Sequence, residues 1–380
     1  MREFRHPNIW AVVFFALVTG SAASAQIFTS SNVSAEATMP VQHGSSVIEL
    51  DDGSLLVSWY AGRTAAARDT RILLRRSTTG GASWEPTQTV VVPGECAAES
   101  WFSNKTLGNT TLFQDTEKVV WLFYAAVEFG GWSGAHIEYK TSRDRGRTWS
   151  EAHRLTGKLG DLPRSKPIEL GSDDIFLPLS HSALRKYCGG IRLEISDGKI
   201  TKKLRSTIAG KEYSHPTFVA IDSNRVLAFL RARRRDGSVQ SASFDVSKNT
   251  WSSPQITNLR NPNSAIDAVR FAGGRILLAY NDSATFRNPL SIAMSDDGVN
   301  FRKLRDVENE SGQEFFYPSL IRARDGTFYL TYTWHYCAVI KCIHFDARWL
   351  GLNLDSAVAG DGAHLVVRIQ GQGNRYTNKK

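Results

Sequence analysis

The chain has 380 residues, of which 42% are hydrophobic and 22% are charged, so it can bury one large core or two ordinary ones. Its formal net charge of +9 favours anionic partners. We expect an acidic oligosaccharide or polysaccharide rather than nucleic acid, because the one dense basic run, residues 231–235, is short and has no interleaved aromatic residues.

The N-terminal residues have the pattern of an export signal. Arg2 and Arg5 precede an almost continuous apolar stretch at residues 9–18, and small residues lead up to Ala25. We therefore predict a signal peptide over residues 1–25, cleaved before Gln26, and a secreted or periplasmic protein. No later stretch has the roughly 18 apolar residues that a membrane helix requires, so stable membrane insertion is not expected.

One pattern recurs six times along the rest of the chain. An apolar run, a turn of Asp, Gly, Ser or Asn, and a second apolar run together predict a β-hairpin. The turns lie about 50 to 65 residues apart, which is the spacing of four-stranded propeller blades. The six predicted hairpins are 46–60, 110–126, 167–179, 216–230, 264–280 and 318–333.

A third predicted strand follows every hairpin, and several end in a second recurring motif. Residues 142–149 form a complete Ser-x-Asp-x-Gly-x-Thr-Trp box, and degenerate copies occur at 77–84, 244–251 and 295–301. In such a box Asp ties a tight turn, and Gly adopts a positive φ. The sequence therefore predicts an all-β, six-bladed β-propeller over residues 26–350, with a C-terminal strand or tail at 351–380 that is available to close it.

Four cysteines in an exported chain favour disulfides. Cys337 and Cys342 are close enough to close a hairpin, whereas Cys96 and Cys188 either pair across blades or stay free.

Polar residues at the start of each blade's first strand should converge on the central channel, together with residues just after the second strand. The strand starts include Arg164. No cluster of His, Cys, Asp and Glu has the spacing of metal ligands, and no phosphate loop or dinucleotide fingerprint is found, so neither metal nor cofactor is expected. The candidate site residues are His43, Arg63, Asp69, Lys166, His215, Arg231, Asn263, Asp267, Arg287 and Tyr317.

Several segments resemble bacterial BNR-repeat proteins described as predicted neuraminidases. The segments are the Asp-boxes, residues 316–320, residues 261–264 and residues 287–290, and the resemblance extends from about His43 to Phe345. The parent group, the sialidases, binds a substrate carboxylate with three arginines. It uses a tyrosine nucleophile that a glutamate activates, with an aspartate as acid/base.

The resemblance assigns roles to individual residues. It implies Tyr317 as the nucleophile, Arg231 and Arg287 as two carboxylate-binding arginines, and Asp69 as the acid/base. Two positions depart from the sialidase pattern. Gln42-His43-Gly44-Ser45 replaces Phe-Arg-Ile-Pro, so the first arginine is missing, and His215 stands where the activating glutamate is expected.

Three functions remain open at this stage. The first is a sialidase-like exo-glycosidase that acts on an acidic sugar. The second is a polysaccharide lyase in which His43, His215 and Tyr317 transfer protons, while Lys166, Arg231 and Arg287 neutralise the carboxylate of a uronate or ulosonate. The third is a non-catalytic carbohydrate-binding propeller, which the incomplete arginine set permits.

Overall fold

A computed structural model describes residues 26–35, 39–98, 103–234 and 237–352. The predicted signal peptide and nearly all of the predicted C-terminal strand or tail lie outside these ranges. The described residues form six antiparallel sheets, each of four or five strands, which confirms the predicted six-bladed β-propeller. Within them the helical segments are two 3₁₀ turns, Trp132–Gly134 and Ala272–Gly274, and no helix is long and apolar enough to span a membrane.

The strands are short and follow one another closely along the chain. The first nine are β1 (Phe28–Asn32), β2 (Val41–Glu49), β3 (Leu55–Gly62), β4 (Arg71–Ser77), β5 (Gln88–Val91), β6 (Thr106–Gln114), β7 (Val120–Val127), β8 (Ala135–Ser142) and β9 (His153–Arg154). The next ten are β10 (Asp161–Pro163), β11 (Ile168–Gly171), β12 (Asp174–His181), β13 (Tyr187–Ser196), β14 (Lys199–Ile208), β15 (Tyr213–Ala220), β16 (Arg225–Ala232), β17 (Gly237–Asp245), β18 (Thr250–Trp251) and β19 (Gln255–Asn261). The last seven are β20 (Asp267–Arg270), β21 (Ile276–Asn281), β22 (Leu290–Ser295), β23 (Phe301–Glu308), β24 (Phe316–Arg322), β25 (Phe328–Trp334) and β26 (Val339–Phe345).

Each blade is a meander of consecutive strands, and the six predicted hairpins are the first two strands of the six blades. The last blade has the order β1-β26-β25-β24, so its outermost strand comes from the N-terminal side of the chain. Phe28 of β1 lies opposite Phe345 of β26. This pairing joins the two ends of the described chain and closes the ring of blades.

The second strand of each blade supplies much of the core. Every residue of β3 and of β7 is buried, including Trp59 and Trp121. These strands have a neighbouring sheet on both faces, so they are apolar throughout rather than alternating. Burying one large apolar side chain contributes about 1.5–3 kcal/mol, and the packing between blades holds the first strands around the channel.

The Asp-boxes are structural, as predicted. Asp144 Oδ1 accepts hydrogen bonds from the backbone N–H groups of Arg147 at 3.1 Å and Thr148 at 2.8 Å. Gly146 has φ +82°, and a Cβ there would lie 2.9 Å from the Leu56 side chain. Glycine is therefore needed where the turn passes over the neighbouring blade.

All four cysteines are free thiols, so the Cys337–Cys342 disulfide is not formed, and of the two alternatives for Cys96 and Cys188 the structure shows the unpaired one. Cys342 lies on β26 with its side chain buried in the core between the last and first blades. Cys337 lies in the β25–β26 turn with φ +67°. The hairpin prediction for Cys337 and Cys342 is wrong because Cys342 packs into the core, away from the turn.

The first strand of four blades contains a β-bulge near its start. The register shifts in β2, β6, β15 and β24, and each shift encloses a residue with left-handed backbone. Bulges of this kind change the direction of side chains and are common beside active sites. The left-handed residues are Gly44 (φ 66°), Asn109 (φ 44°), His215 (φ 44°) and Tyr317 (φ 53°).

Candidate active site at the channel mouth

Tyr317 lies at the centre of a cluster at the end of the channel where the first strands begin, here called the mouth. Its ring centroid is 4.8 Å from the Arg164 guanidinium and 5.9 Å from that of Arg231. The rings of His43 and His215 lie 4.5 Å and 6.0 Å away. The structure therefore brings residues from four different blades together around one phenol.

The backbone of Tyr317 is strained. Its φ of +53° is the left-handed region, which costs a residue other than glycine roughly 1–2 kcal/mol. His215 pays a similar cost at φ +44°. Strain of this kind persists where the surroundings over-determine the conformation, and it is concentrated at functional sites.

Asn263 holds two of the predicted arginines side by side. Arg231 Nε donates to Asn263 Oδ1 at 3.0 Å, and another nitrogen of the same guanidinium donates to Asn263 O at 2.8 Å. Arg287 donates to the same carbonyl at 3.2 Å and stacks on Phe316 at 4.9 Å. Asn263 is thus a positioning group for these two guanidinium groups rather than a free polar contact.

Arg164 is the third arginine of the cluster, and sequence reasoning did not select it as a site residue. It lies in the gap between β10 and β11, and it is only 3% exposed. Its two terminal nitrogens donate to Ser45 O at 3.3 Å and Pro318 O at 3.0 Å. The sequence could have pointed to Arg164 through its position near the start of a first strand, which it shares with His43, His215 and Tyr317.

The arginines favour ionisation of Tyr317. Burial is the largest influence and opposes ionisation, but Arg231, by charge and by a hydrogen bond, and Arg164 and Arg287, by charge, outweigh it. The pKa of Tyr317 therefore lies below its ordinary value of 10. Neighbouring Tyr60 shows the opposite effect, since burial and the nearby Tyr317 raise its pKa well above the ordinary value.

Both histidines of the site are neutral at physiological pH. Burial, followed by the charges of the three arginines, lowers the pKa of His43 to about 3. Burial and then the charge of Arg231 lower the pKa of His215 well below its ordinary value. Arg231 donates to His215 Nδ1 at 2.9 Å, so the ring proton of His215 is on Nε2. His43 Nδ1 lies 3.1 Å from Thr333 Oγ1.

Lys166 and Asp267 link blades to one another. Lys166 Nζ lies 2.8 Å from Asp267 Oδ2 and donates to Ala268 O at 3.0 Å. Asp267 also accepts from the Thr217 hydroxyl at 2.6 Å and from Leu320 N at 2.7 Å. Lys166 also lines a cavity of about 620 Å³ at the ends of the first strands away from the mouth. The structure thus gives these two predicted substrate-binding residues partners within the protein.

Arg63 and Asp69 pair with each other in the loop after β3. Arg63 Nε lies 2.7 Å from Asp69 Oδ2, and the Arg63 side chain is 79% exposed. Desolvation acts to raise the pKa of Asp69, but the hydrogen bonds from Arg63 prevail and hold it below its usual value. Among the described residues, no hydrogen bond or ring contact joins this pair to Tyr317. The residues that the structure describes also contain no group of three or more His, Cys, Asp or Glu side chains placed to hold a metal ion.

The comparisons with known proteins define the class. Residues 53–330 match the sequence model of the family described as BNR repeat-like domain. This match covers more than half of the chain, so the protein belongs to that family. No curated protein matches the sequence significantly.

Solved structures of sialidases share the fold. A Hadza microbial sialidase is 17% identical with a TM-score of 0.66, over 82% of this chain and 66% of that one. The intramolecular trans-sialidase from Ruminococcus gnavus, in complex with oseltamivir carboxylate, is 12% identical with a TM-score of 0.69, over 84% of this chain and 98% of that one. The NanB sialidase from Streptococcus pneumoniae is 9% identical with a TM-score of 0.67, over 83% of this chain and 70% of that one. The protein is thus a BNR-repeat, sialidase-like propeller.

Proposed function

We propose that the protein is a glycoside hydrolase that releases an acidic sugar from a glycan at the channel mouth. One observation carries this proposal: three guanidinium groups converge on Tyr317, and none of them is bonded to a carboxylate of the described residues. Three like charges held close together repel one another, so an anionic ligand would stabilise the cluster.

Arg231 and Arg287 are the groups that would bind the carboxylate. Asn263 fixes both guanidinium groups, and a planar guanidinium binds a carboxylate through two parallel hydrogen bonds. A substrate whose carboxylate is held in one orientation by both arginines would have its anomeric carbon next to Tyr317.

Tyr317 would act as the nucleophile. Its ionised oxygen forms a bond to the anomeric carbon while the bond to the leaving oxygen breaks, and that oxygen takes a proton from water. A second water then attacks the anomeric carbon and gives its proton to the hydroxide left by the first, and Tyr317 departs again as phenolate. The overall reaction consumes one water and retains the anomeric configuration.

The test is an incubation of the protein with sialosides and with uronate-rich polysaccharides. Released acidic monosaccharide with retained anomeric configuration, followed by NMR, is the expected product. Tyr317→Phe should abolish release while the circular dichroism spectrum is unchanged. Full activity of this variant would remove the tyrosine from the mechanism.

A lyase is the second candidate, because His43 is a neutral imidazole beside Tyr317. His43 would remove the proton α to the carboxylate while Arg231 and Arg287 neutralise the developing charge. A carbon–carbon double bond forms as the bond to the leaving oxygen breaks, and Tyr317 gives that oxygen its proton. The absorbance of an unsaturated uronate would identify this reaction, and binding without either product would identify a non-catalytic lectin-like propeller.

A further inference from the structure

Arg164 takes an unusual path through the propeller. The first strand of its blade stops at Pro163 and resumes at Ile168. In this gap the Arg164 side chain crosses the channel to the first and last blades, where it bonds Ser45 O and Pro318 O. Removing a guanidinium so fully from water costs free energy unless hydrogen bonds and nearby negative charge compensate for the lost hydration.

The two carbonyls that Arg164 contacts have something in common. Ser45 directly follows Gly44, and Pro318 directly follows Tyr317, and both preceding residues have left-handed backbone. A hydrogen bond to the carbonyl after such a residue opposes rotation of the chain back to an ordinary conformation. Arg164 therefore links the two bulges that carry His43 and Tyr317 into the mouth.

The position of Arg164 differs from that of the other two arginines. Its guanidinium is nearer to the Tyr317 ring than that of Arg231, and its two terminal nitrogens are bonded to protein carbonyls. Its remaining nitrogen, Nε, is buried without a hydrogen-bond partner among the described residues. Arg164 thus faces the phenol with a permanent charge and is bonded to the first and last blades, whereas Arg231 and Arg287 are bonded to Asn263.

We propose that Arg164 is a positioning residue: by bonding Ser45 O and Pro318 O it holds Tyr317 in its left-handed conformation, and it keeps a fixed positive charge 4.8 Å from the phenol ring, in addition to the charge of Arg231. This inference takes one thing from the proposed function, namely the reactive role of Tyr317. The ionisation of Tyr317 can be measured without any substrate, so the two proposals can fail separately.

The experiment is a spectroscopic titration of tyrosinate absorbance, with Tyr317→Phe subtracted to isolate Tyr317. In Arg164→Gln the midpoint should rise by about one to three pH units, because an opposite charge at this distance shifts an acid by that amount. Arg164→Lys keeps a charge but loses the fork to the two carbonyls, so its midpoint should lie between those of Arg164→Gln and the unchanged protein.

Arg233 is the matched control. It also donates through its guanidinium to two carbonyls, Tyr213 O at 2.6 Å and His181 O at 3.4 Å, but it is not among the groups with the largest effects on Tyr317. Arg233→Gln should leave the Tyr317 midpoint within a few tenths of a pH unit. With an active substrate, Arg164→Gln should lower kcat about 100-fold or more and change KM less than threefold.

An unchanged Tyr317 midpoint in folded Arg164→Gln would overturn the proposal, as would an equal shift in Arg233→Gln. If Arg164→Gln does not fold, Arg164→Lys decides the matter, since an unaltered midpoint and kcat there would also contradict a role for the guanidinium fork. Restoration of the midpoint in Arg164→Gly by added guanidinium ion would support it.

Discussion

Two buried polar clusters of this propeller treat charge in opposite ways. In the second blade His136 lies between Glu138, at 2.9 Å, and Glu128, at 3.3 Å, and Glu128 is also paired with Arg154 at 2.8 Å. At the channel mouth three arginines surround Tyr317, and among the described residues no carboxylate is bonded to their guanidinium groups. The blade cluster pairs its charges directly, whereas the acids nearest the mouth arginines, Asp267 and Glu314, act on them without such a bond.

The pKa values of the tyrosines in the two clusters reflect this difference in charge. Burial and then the charge of Glu138, whose carboxylate accepts the Tyr124 hydroxyl at 2.9 Å, raise the pKa of Tyr124 well above its ordinary value. The pKa of Tyr317 is lowered although burial opposes it. The pKa values of two buried phenols on one scaffold are therefore shifted in opposite directions by the charges around them.

Removing a charge from the balanced cluster should have the largest effect on folding. Glu138→Gln leaves His136 and the hydroxyl of Tyr124 without their charged partner, so we expect a loss of about 3–5 kcal/mol in the free energy of unfolding. Urea denaturation followed by tryptophan fluorescence measures it. A change below about 1 kcal/mol would mean that this cluster does not hold the blade together.

Removing a charge from the mouth should affect binding instead. Arg287→Met keeps an apolar contact with Phe316 and reduces the repulsion with Arg231, so the free energy of unfolding should change by less than about 1 kcal/mol. Affinity for an acidic sugar should fall about 10- to 100-fold, because a hydrogen bond to a charged group contributes about 1.5–3 kcal/mol. Calorimetric titration with sialic acid and with a uronate measures the loss, and equal affinity in both proteins would exclude Arg287 from the carboxylate site.

The neutral histidines predict how stability depends on pH. His43 has a pKa of about 3 in the folded protein and an ordinary value of about 6.5 when unfolded. Between these values the unfolded chain binds the proton, so the free energy of unfolding falls as pH falls, by up to about 1.4 kcal/mol per pH unit. His43→Gln should flatten this dependence in urea unfolding at pH values from about 4 to 7, and parallel slopes for the two proteins would contradict the buried neutral state.

The smallest effect is expected at Asp69. Its ion pair with Arg63 is exposed, and such pairs contribute little, so the urea concentration at the midpoint of unfolding should be the same for Asp69→Asn as for the unchanged protein. The Arg63 hydrogen bonds that hold Asp69 ionised make it a poor proton donor, so we also expect less than a threefold change in kcat. A loss of about 100-fold or more would show that Asp69 reaches the substrate as the acid/base that the sialidase resemblance implies.

The propeller and much of the mouth could be predicted from the sequence. Hairpin turns, Asp-boxes and apolar strands are local patterns with local physical causes, so six repeats define six blades. His43, His215 and Tyr317 all lie near the starts of first strands, although His215 and Tyr317 are bulge residues and His43 directly precedes the bulge residue Gly44. Repetition around an axis brings the starts of the first strands together, so their convergence follows from strand phase.

The tertiary structure decided which partners the charged side chains take. Arg164 crosses the channel to Tyr317, Lys166 pairs with Asp267, and Asp69 pairs with Arg63 instead of joining the cluster. The tertiary structure also decided that Cys342 packs into the core between blades and that β1 pairs with β26 to close the ring. Apart from the Arg63–Asp69 pair, which forms within one loop, these contacts join segments that are distant in sequence. No local periodicity encodes which segments meet or which long side chain bridges the space between two blades.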